Sequence, residues 1–200
     1  MDIAGKIIWQ QAAGDTDRNY SDICLRWDVI LNGPGYAGPW PDCEKSLRSD
    51  EWAPRKLTDI RRFAEDMKDG DIVVLRLGTA TVMGVGQIVG TYEWCDEFGD
   101  IDGWELQHVR RVRWLWKDIN NPKTFDTYAL KQGDTTQKLD EGPVTDWLST
   151  LPVPDGSFSR PLVDLPSLDK PNEITVTEIS EFLFDHGVAS PMCQDTFRLS

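Results

Sequence analysis

The chain has 200 residues, 40% of them hydrophobic and 28% charged, with a formal net charge of −13. That length supports one good core and part of a second, and the acidity argues against indiscriminate binding to nucleic acid while leaving room for a local patch. No apolar run nears the roughly 20 residues of a bilayer span, and Met1-Asp-Ile-Ala-Gly-Lys lacks a secretion signal's basic start, so a cytoplasmic protein without a membrane partner is expected.

Lys6 to Gln11 reads as a short apolar strand, followed by the polar turn Gly14 to Ser21. Asn19 or Ser21 is placed to cap a short helix running to about Trp27, and Val29-Ile-Leu31 reads as a second strand. Asn32-Gly-Pro-Gly-Tyr-Ala-Gly-Pro-Trp-Pro41 is too rich in glycine and proline for regular structure. A helix capped by Thr58 then carries Ile60, Phe63, Ala64 and Met67 on one face. Gly70–Leu77 and Ala80–Tyr92 form a predicted hairpin about Gly78-Thr79. Val109–Trp116 is a third long strand, with Val112, Trp114 and Trp116 on one face and Arg111, Arg113 and Leu115 on the other.

Past Gly142 the texture changes. Six of the twelve prolines lie between Pro143 and Pro171, which reads as an acidic linker or strap. Residues 1–140 hold 24 acids and 18 bases, whereas residues 141–200 hold 10 acids and 3 bases, so more than half the excess charge sits in the last third. Thr175-x-x-Glu178 is a capping box for a short helix with Ile179, Phe182 and Leu183 on one face, stopped by Gly187. The division expected is a domain over 1–140, a Pro-rich segment over 141–172 and a helical segment over 173–200.

Several patterns carry no chemistry. Cys24, Cys43, Cys95 and Cys193 are far apart with no Cys-x-x-Cys pair, which suits reduced, mostly buried thiols rather than zinc or a disulfide framework. Gly84-Val-Gly-Gln-Ile-Val-Gly90 has the wrong spacing for a dinucleotide loop and lies within a strand; its glycines suit tight packing under a helix or the close approach of a ligand. Asp100-Ile-Asp-Gly in calcium-loop register would put Phe98 and Val109 at the outer ligand positions, where neither supplies oxygen. His108 and His186 have no nucleophile or ligand neighbour at useful spacing. No enzyme, no metal and no cofactor are expected.

The loop aromatics are more informative. Tyr92, Trp94 and Trp104 lie in or beside an acidic loop, where a core role is not automatic. Two indoles can sandwich a base at about 1–3 kcal/mol per stacked base, and Asn32 or Asp28 could read its edge. Arg110, Arg111, Arg113 and Lys117 form the densest basic cluster, readable as a salt-bridged surface or as a phosphate-contacting strip.

The order of these pieces resembles the EVE and YTH branches of the PUA-like superfamily over about residues 5–140. The carriers are Trp27-Asp-Val-Ile-Leu-Asn, Lys68-Asp-Gly-Asp-Ile-Val-Val-Leu, Met83-Gly-Val-Gly-Gln-Ile-Val and the Val-Arg-Arg-Val-Arg-Trp-Leu strand. The resemblance implies an α+β fold: a PUA-like pseudo-barrel of about five to six strands with packed helices. It also implies a pocket for a flipped modified base, methylated adenine or modified cytosine, formed around Arg18 to Tyr20, Ile30 to Asn32, Trp94 and Trp104. Ile30 stands where YTH domains carry a cage tryptophan, and Tyr36 or Trp40 could substitute. The function expected is a non-catalytic reader of modified DNA, the sensor of a modification-dependent restriction or anti-phage system, with any catalysis in a fused or partner nuclease or NTPase. The alternatives are an RNA-binding protein of translation or RNA modification, and a protein-interaction module.

Overall fold

The sheet grows around its most apolar strands. β1 (Ile8–Ala12) and β3 (Ile72–Leu77) lie side by side in parallel, Ile8 opposite Ile72 and Gln11 opposite Leu75, and both are buried nearly throughout. Such parallel strands need cover on two faces, and successive β1 residues alternate between them. Trp9 is wholly buried on the first face, while Ile8 joins Ile72, Val74, Val82 and Val85 on the second. The computed structural model describes residues 1, 3–14, 18–49, 53–126, 128–152 and 159–167.

The remaining strands are β2 (Val29–Asn32), β4 (Thr81–Trp94), β5 (His108–Lys117), β6 (Lys123–Thr124) and β7 (Thr136–Lys138). They complete a curled, mixed half-barrel sheet in the order β2-β5-β4-β3-β1-β7, with β6 added at the start of β4. The four α-helices among the described residues are α1 (Ser21–Trp27), α2 (Cys43–Ser49), α3 (Ala53–Arg61) and α4 (Pro143–Thr150). The fold is α+β.

The Gly-Asp pair before β3 has a structural reason. Gly70 adopts φ +86°, and Asp71 accepts hydrogen bonds from the Trp9 indole (2.8 Å) and the Lys68 N–H (2.9 Å). A buried indole N–H needs an acceptor, so Asp71 locks the start of β3 to β1. The strand glycines have one too. A Cβ at Gly84 would lie 2.8 Å from Leu25 of α1, and one at Gly86 would lie 2.8 Å from the Arg113 carbonyl and 3.0 Å from the Trp114 ring. They admit α1 and an indole, not a ligand.

Two expectations need correction. Thr58 does not cap: α3 starts at Ala53, and the Thr58 hydroxyl donates back to the Pro54 carbonyl (2.9 Å). The helix then widens into a π-turn at Arg62–Asp66, which brings Phe63 into the core. Trp114 and Trp116 do not share a face, because Gly86 pairs with Trp114 and Val85 with Trp116, leaving Leu115 as an extra residue. Trp116 therefore packs on the second face against Trp147, edge to face at 5.1 Å.

A domain boundary is expected near residue 140. The chain divides into two compact units, Met1–Leu165 and Pro166–Ser200, and of the second only residues 166 and 167 are described. The first unit includes α4, whose Val144 and Leu148 are buried on the second face. It also includes a strap over residues 159–165. The predicted helix after Thr175 lies outside the described residues. No helix among the described residues is long and apolar enough to cross a membrane.

Candidate functional site

β4 and β5 are joined by a thirteen-residue loop, 95–107, whose two ends are paired through Trp94 and His108. β2 ends beside this loop because Asn32 pairs with His108. The polypeptide after β2 then folds against it: Gly35 N–H donates to the Glu105 carbonyl (3.0 Å). Close approach explains the glycines here. A Cβ on Gly33 would lie 2.6 Å from the Glu105 carbonyl oxygen, and one on Gly35 would fall on the Gln107 carboxamide.

A buried relay fixes these two loops to each other. The Trp40 N–H donates to the Tyr92 hydroxyl (3.0 Å), which lies 2.9 Å from His108 Nδ1, and His108 Nε2 lies 3.1 Å from the Pro34 carbonyl. A carbonyl can only accept, so Nε2 carries the proton and Tyr92 donates to Nδ1. Burial is the main force on His108 and lowers its pKa to about 4, which keeps the ring neutral. Burial likewise raises the Tyr92 hydroxyl to about 12.

Aromatic rings flank the 95–107 loop in two groups. Trp94 stands edge-on to His108 at 5.1 Å, and its Nε1 donates to Asp96 (2.7 Å). Trp104 packs edge-on to Tyr20 at 5.3 Å, and the Arg18 guanidinium lies over its face at 4.4 Å while donating to the Asp102 carbonyl (3.2 Å). Both tryptophans are half-buried. No ring contact joins Trp94 to Trp104 among the described residues. The acids of this loop have local tasks: Asp100 accepts from the Gly103 N–H (2.9 Å), closing a turn in which Asp102 takes φ +52°.

The remaining residues expected at a base pocket are engaged elsewhere. Ile30 is wholly buried in the core, so it forms no pocket wall. Asn32 is 2% exposed; its amide donates to the Thr136 hydroxyl (3.1 Å), and its carbonyl oxygen accepts from the Gly33 N–H (2.9 Å). Asp28 sits at the opposite end of β2, about 13 Å away at strand rise. It is 1% exposed, bridged by Arg160 (2.7 Å), and accepts the Val163 N–H (3.1 Å). Neither polar group faces the aromatic loop. Tyr20 is buried, with its hydroxyl donating to the Ala12 carbonyl (3.1 Å).

The basic cluster does not form one strip, because strand alternation and two bulges turn successive side chains to different places. Arg110 is 2% exposed and donates to Gly90 (3.1 Å) and, at 3.4 Å, to Ala64 in the π-turn. Desolvation lowers its pKa, the physical mark of a guanidinium removed from solvent and from phosphate alike. Arg111 donates to the Val163 carbonyl of the strap, and Lys117 donates to the Leu25 carbonyl at the end of α1 (3.0 Å). Arg113 stays half-buried, with its Nε lacking a partner among the described residues.

Sequence reasoning missed the Tyr92–His108–Pro34 relay and Gln107. Tyr92 and His108 are sixteen residues apart, and only the hairpin pairing of Trp94 with His108 draws them together. Gln107 lies between Gly35 and Gly99, and its buried Oε1 has no hydrogen-bond partner among the described residues. Two clefts, of about 390 and 850 Å³, lie away from this end, along Leu139–Glu141 and beside α4; neither touches any residue of the aromatic loop. They are open grooves without convergent rings, so the aromatic end is the better candidate on chemical grounds.

Residues 9–137 match the family described as Domain of unknown function (DUF8426). The chain belongs to that family. The matched stretch begins at Trp9 in β1 and stops at Gln137 in β7, so the DUF8426 unit is the curled sheet with its first three helices and the aromatic loop. Helix α4 and the strap lie beyond the DUF8426 match, although they pack onto the same sheet. No curated protein matches the chain.

Proposed function

We propose that this DUF8426 protein is a non-catalytic reader that takes a flipped, modified base at the aromatic loop, in DNA rather than RNA, and that its fold is a PUA-like pseudo-barrel of the EVE/YTH type. The observation that carries the reading is that half-buried Trp94 and half-buried Trp104, the latter with exposed Arg18 over its face, flank one loop at one end of the sheet. Flat rings beside bare backbone suit a planar ligand, and guanidinium planes stack on bases as indoles do.

In this reading Arg18 marks the stacking position. Its guanidinium lies on the Trp104 face that a base would cover, so an entering base displaces it toward the phosphates. Gln107 replaces Asn32 and Asp28 as the reader of the base edge, because its buried carboxamide oxygen has no hydrogen-bond partner among the described residues and an exocyclic amine reaching it would satisfy it. A methyl group on the base would add apolar contact with the rings at ~25 cal/mol per Å² buried. Catalysis would belong to a fused or partner nuclease or NTPase.

The test is binding of short oligonucleotides carrying one N6-methyladenine, one 5-methylcytosine or no modification, as DNA and as RNA. The account expects tighter binding of a modified DNA and loss of that preference in Trp104→Ala. Preference for RNA regardless of modification would favour the RNA-binding alternative and sink this one.

A further inference from the structure

The loop after β2 holds two large aromatics that differ in burial. Trp40 is anchored: its indole N–H donates to Glu65 (3.1 Å), and its ring packs on the small cluster of Cys43, Leu47 and Ile60 beneath α2 and α3. Tyr36, four residues earlier, is 63% exposed. The backbone that carries it is tied at both ends and in the middle. Gly33 N–H donates to Asn32, Gly35 N–H to Glu105, Gly38 N–H to Gly35 and Trp40 N–H to Tyr92, while His108 donates to the Pro34 carbonyl. Gln107 fills the space beside Gly35, so the turn rests against the aromatic loop itself.

A loop braced this closely loses little entropy when its tip meets a partner, and a tyrosine ring has only two side-chain torsions to fix. Tyr36, 63% exposed, therefore keeps apolar area that burial against a partner would remove from water. Resting on the base-reader interpretation above, we propose that Tyr36 is a wedge: it inserts into the gap left in a duplex by the flipped base and stacks on the pair next to it. Removing a base from the stack costs a few kcal/mol, and an inserted side chain offsets part of that by restoring a stacked surface. The wedge acts outside the pocket. Trp94 and Trp104 hold the flipped base, and Tyr36 holds the duplex open.

The experiment compares wild type, Tyr36→Ala, Tyr36→Phe and Trp104→Ala on two probes that carry the same single N6-methyladenine, one a duplex and one a single strand; a second pair carries 5-methylcytosine. A wedge is needed only where a gap must be filled. Tyr36→Ala should weaken duplex binding about tenfold, within the range of one lost stacking contact, and leave single-strand binding within about twofold. Tyr36→Phe should retain duplex binding. Trp104→Ala should weaken both probes alike.

Equal weakening of both probes by Tyr36→Ala would make Tyr36 a pocket wall and overturn the wedge while keeping the reader. An unchanged duplex affinity would overturn it as well. If wild type binds none of the modified probes, the reader and the wedge fall together.

Discussion

His108 gives the most direct handle at the scale of single residues. Its folded pKa of about 4 lies below the ordinary imidazole value of 6.5, so between those values the unfolded chain binds more protons than the folded one. The stability due to the neutral ring is complete above pH 6.5 and is lost as pH falls toward 4, roughly 3 kcal/mol in all. Thermal melts across that window should show the drop, and His108→Gln, which keeps a donor but does not titrate, should flatten it. A parallel drop in both proteins would place the effect elsewhere. Asp28 offers a second residue-scale test. Removing Arg160 leaves a buried carboxylate with the Val163 N–H as its one side-chain partner among the described residues, so Arg160→Ala should cost about 2 kcal/mol in denaturant unfolding. The figure is below that of a fully buried pair because Arg160 is 44% exposed.

Elements show how far local patterns reach. Apolar runs and glycine-flanked turns were enough to place β1, β2, the β3–β4 hairpin and β5, and the Gly-Asp start of β3 was visible because a turn and a buried acceptor both needed those residues. The α4 helix was hidden by its own first residue: Pro143 reads as a breaker among prolines, yet proline is at home in a helix's first turn. The Thr145 hydroxyl, 2.8 Å from the Gly142 N–H, then closes that turn. The faces of β5 were misread because a bulge at Leu115 leaves no trace in alternation. The site was legible only at its aromatics. Burial of Asn32, Asp28 and Arg110 depends on neighbours 46 to 135 residues away, which no spacing encodes. Because Leu148 is fully buried on the second face, Leu148→Ala should destabilise the sheet by about 2–5 kcal/mol, measured by denaturant unfolding. A loss under 1 kcal/mol would mean that α4 is dispensable to the unit.

At the scale of the whole molecule, charge and shape set the kind of binding to expect. A net charge of −13 disfavours a broad phosphate footprint; Arg110 is buried, and Arg111 and Lys117 are engaged by backbone carbonyls, which leaves Arg18 and Arg113 as the readiest phosphate contacts. Affinity for a modified oligonucleotide should therefore fall only gently with salt, with a log–log slope of about −2, where a protein contacting many phosphates would give a far steeper one. Titrations at several salt concentrations measure this. A steep slope would point to a basic surface outside the aromatic loop. On the proposed reading, recognition rests on stacking rather than on charge. That reading is tested most directly by the affinity of the full chain for one duplex with and without a single methylated base, repeated with Trp104→Ala. The account predicts at least tenfold preference for one of the modified duplexes, abolished by the substitution; equal affinities, or a preference that survives the loss of Trp104, would contradict it.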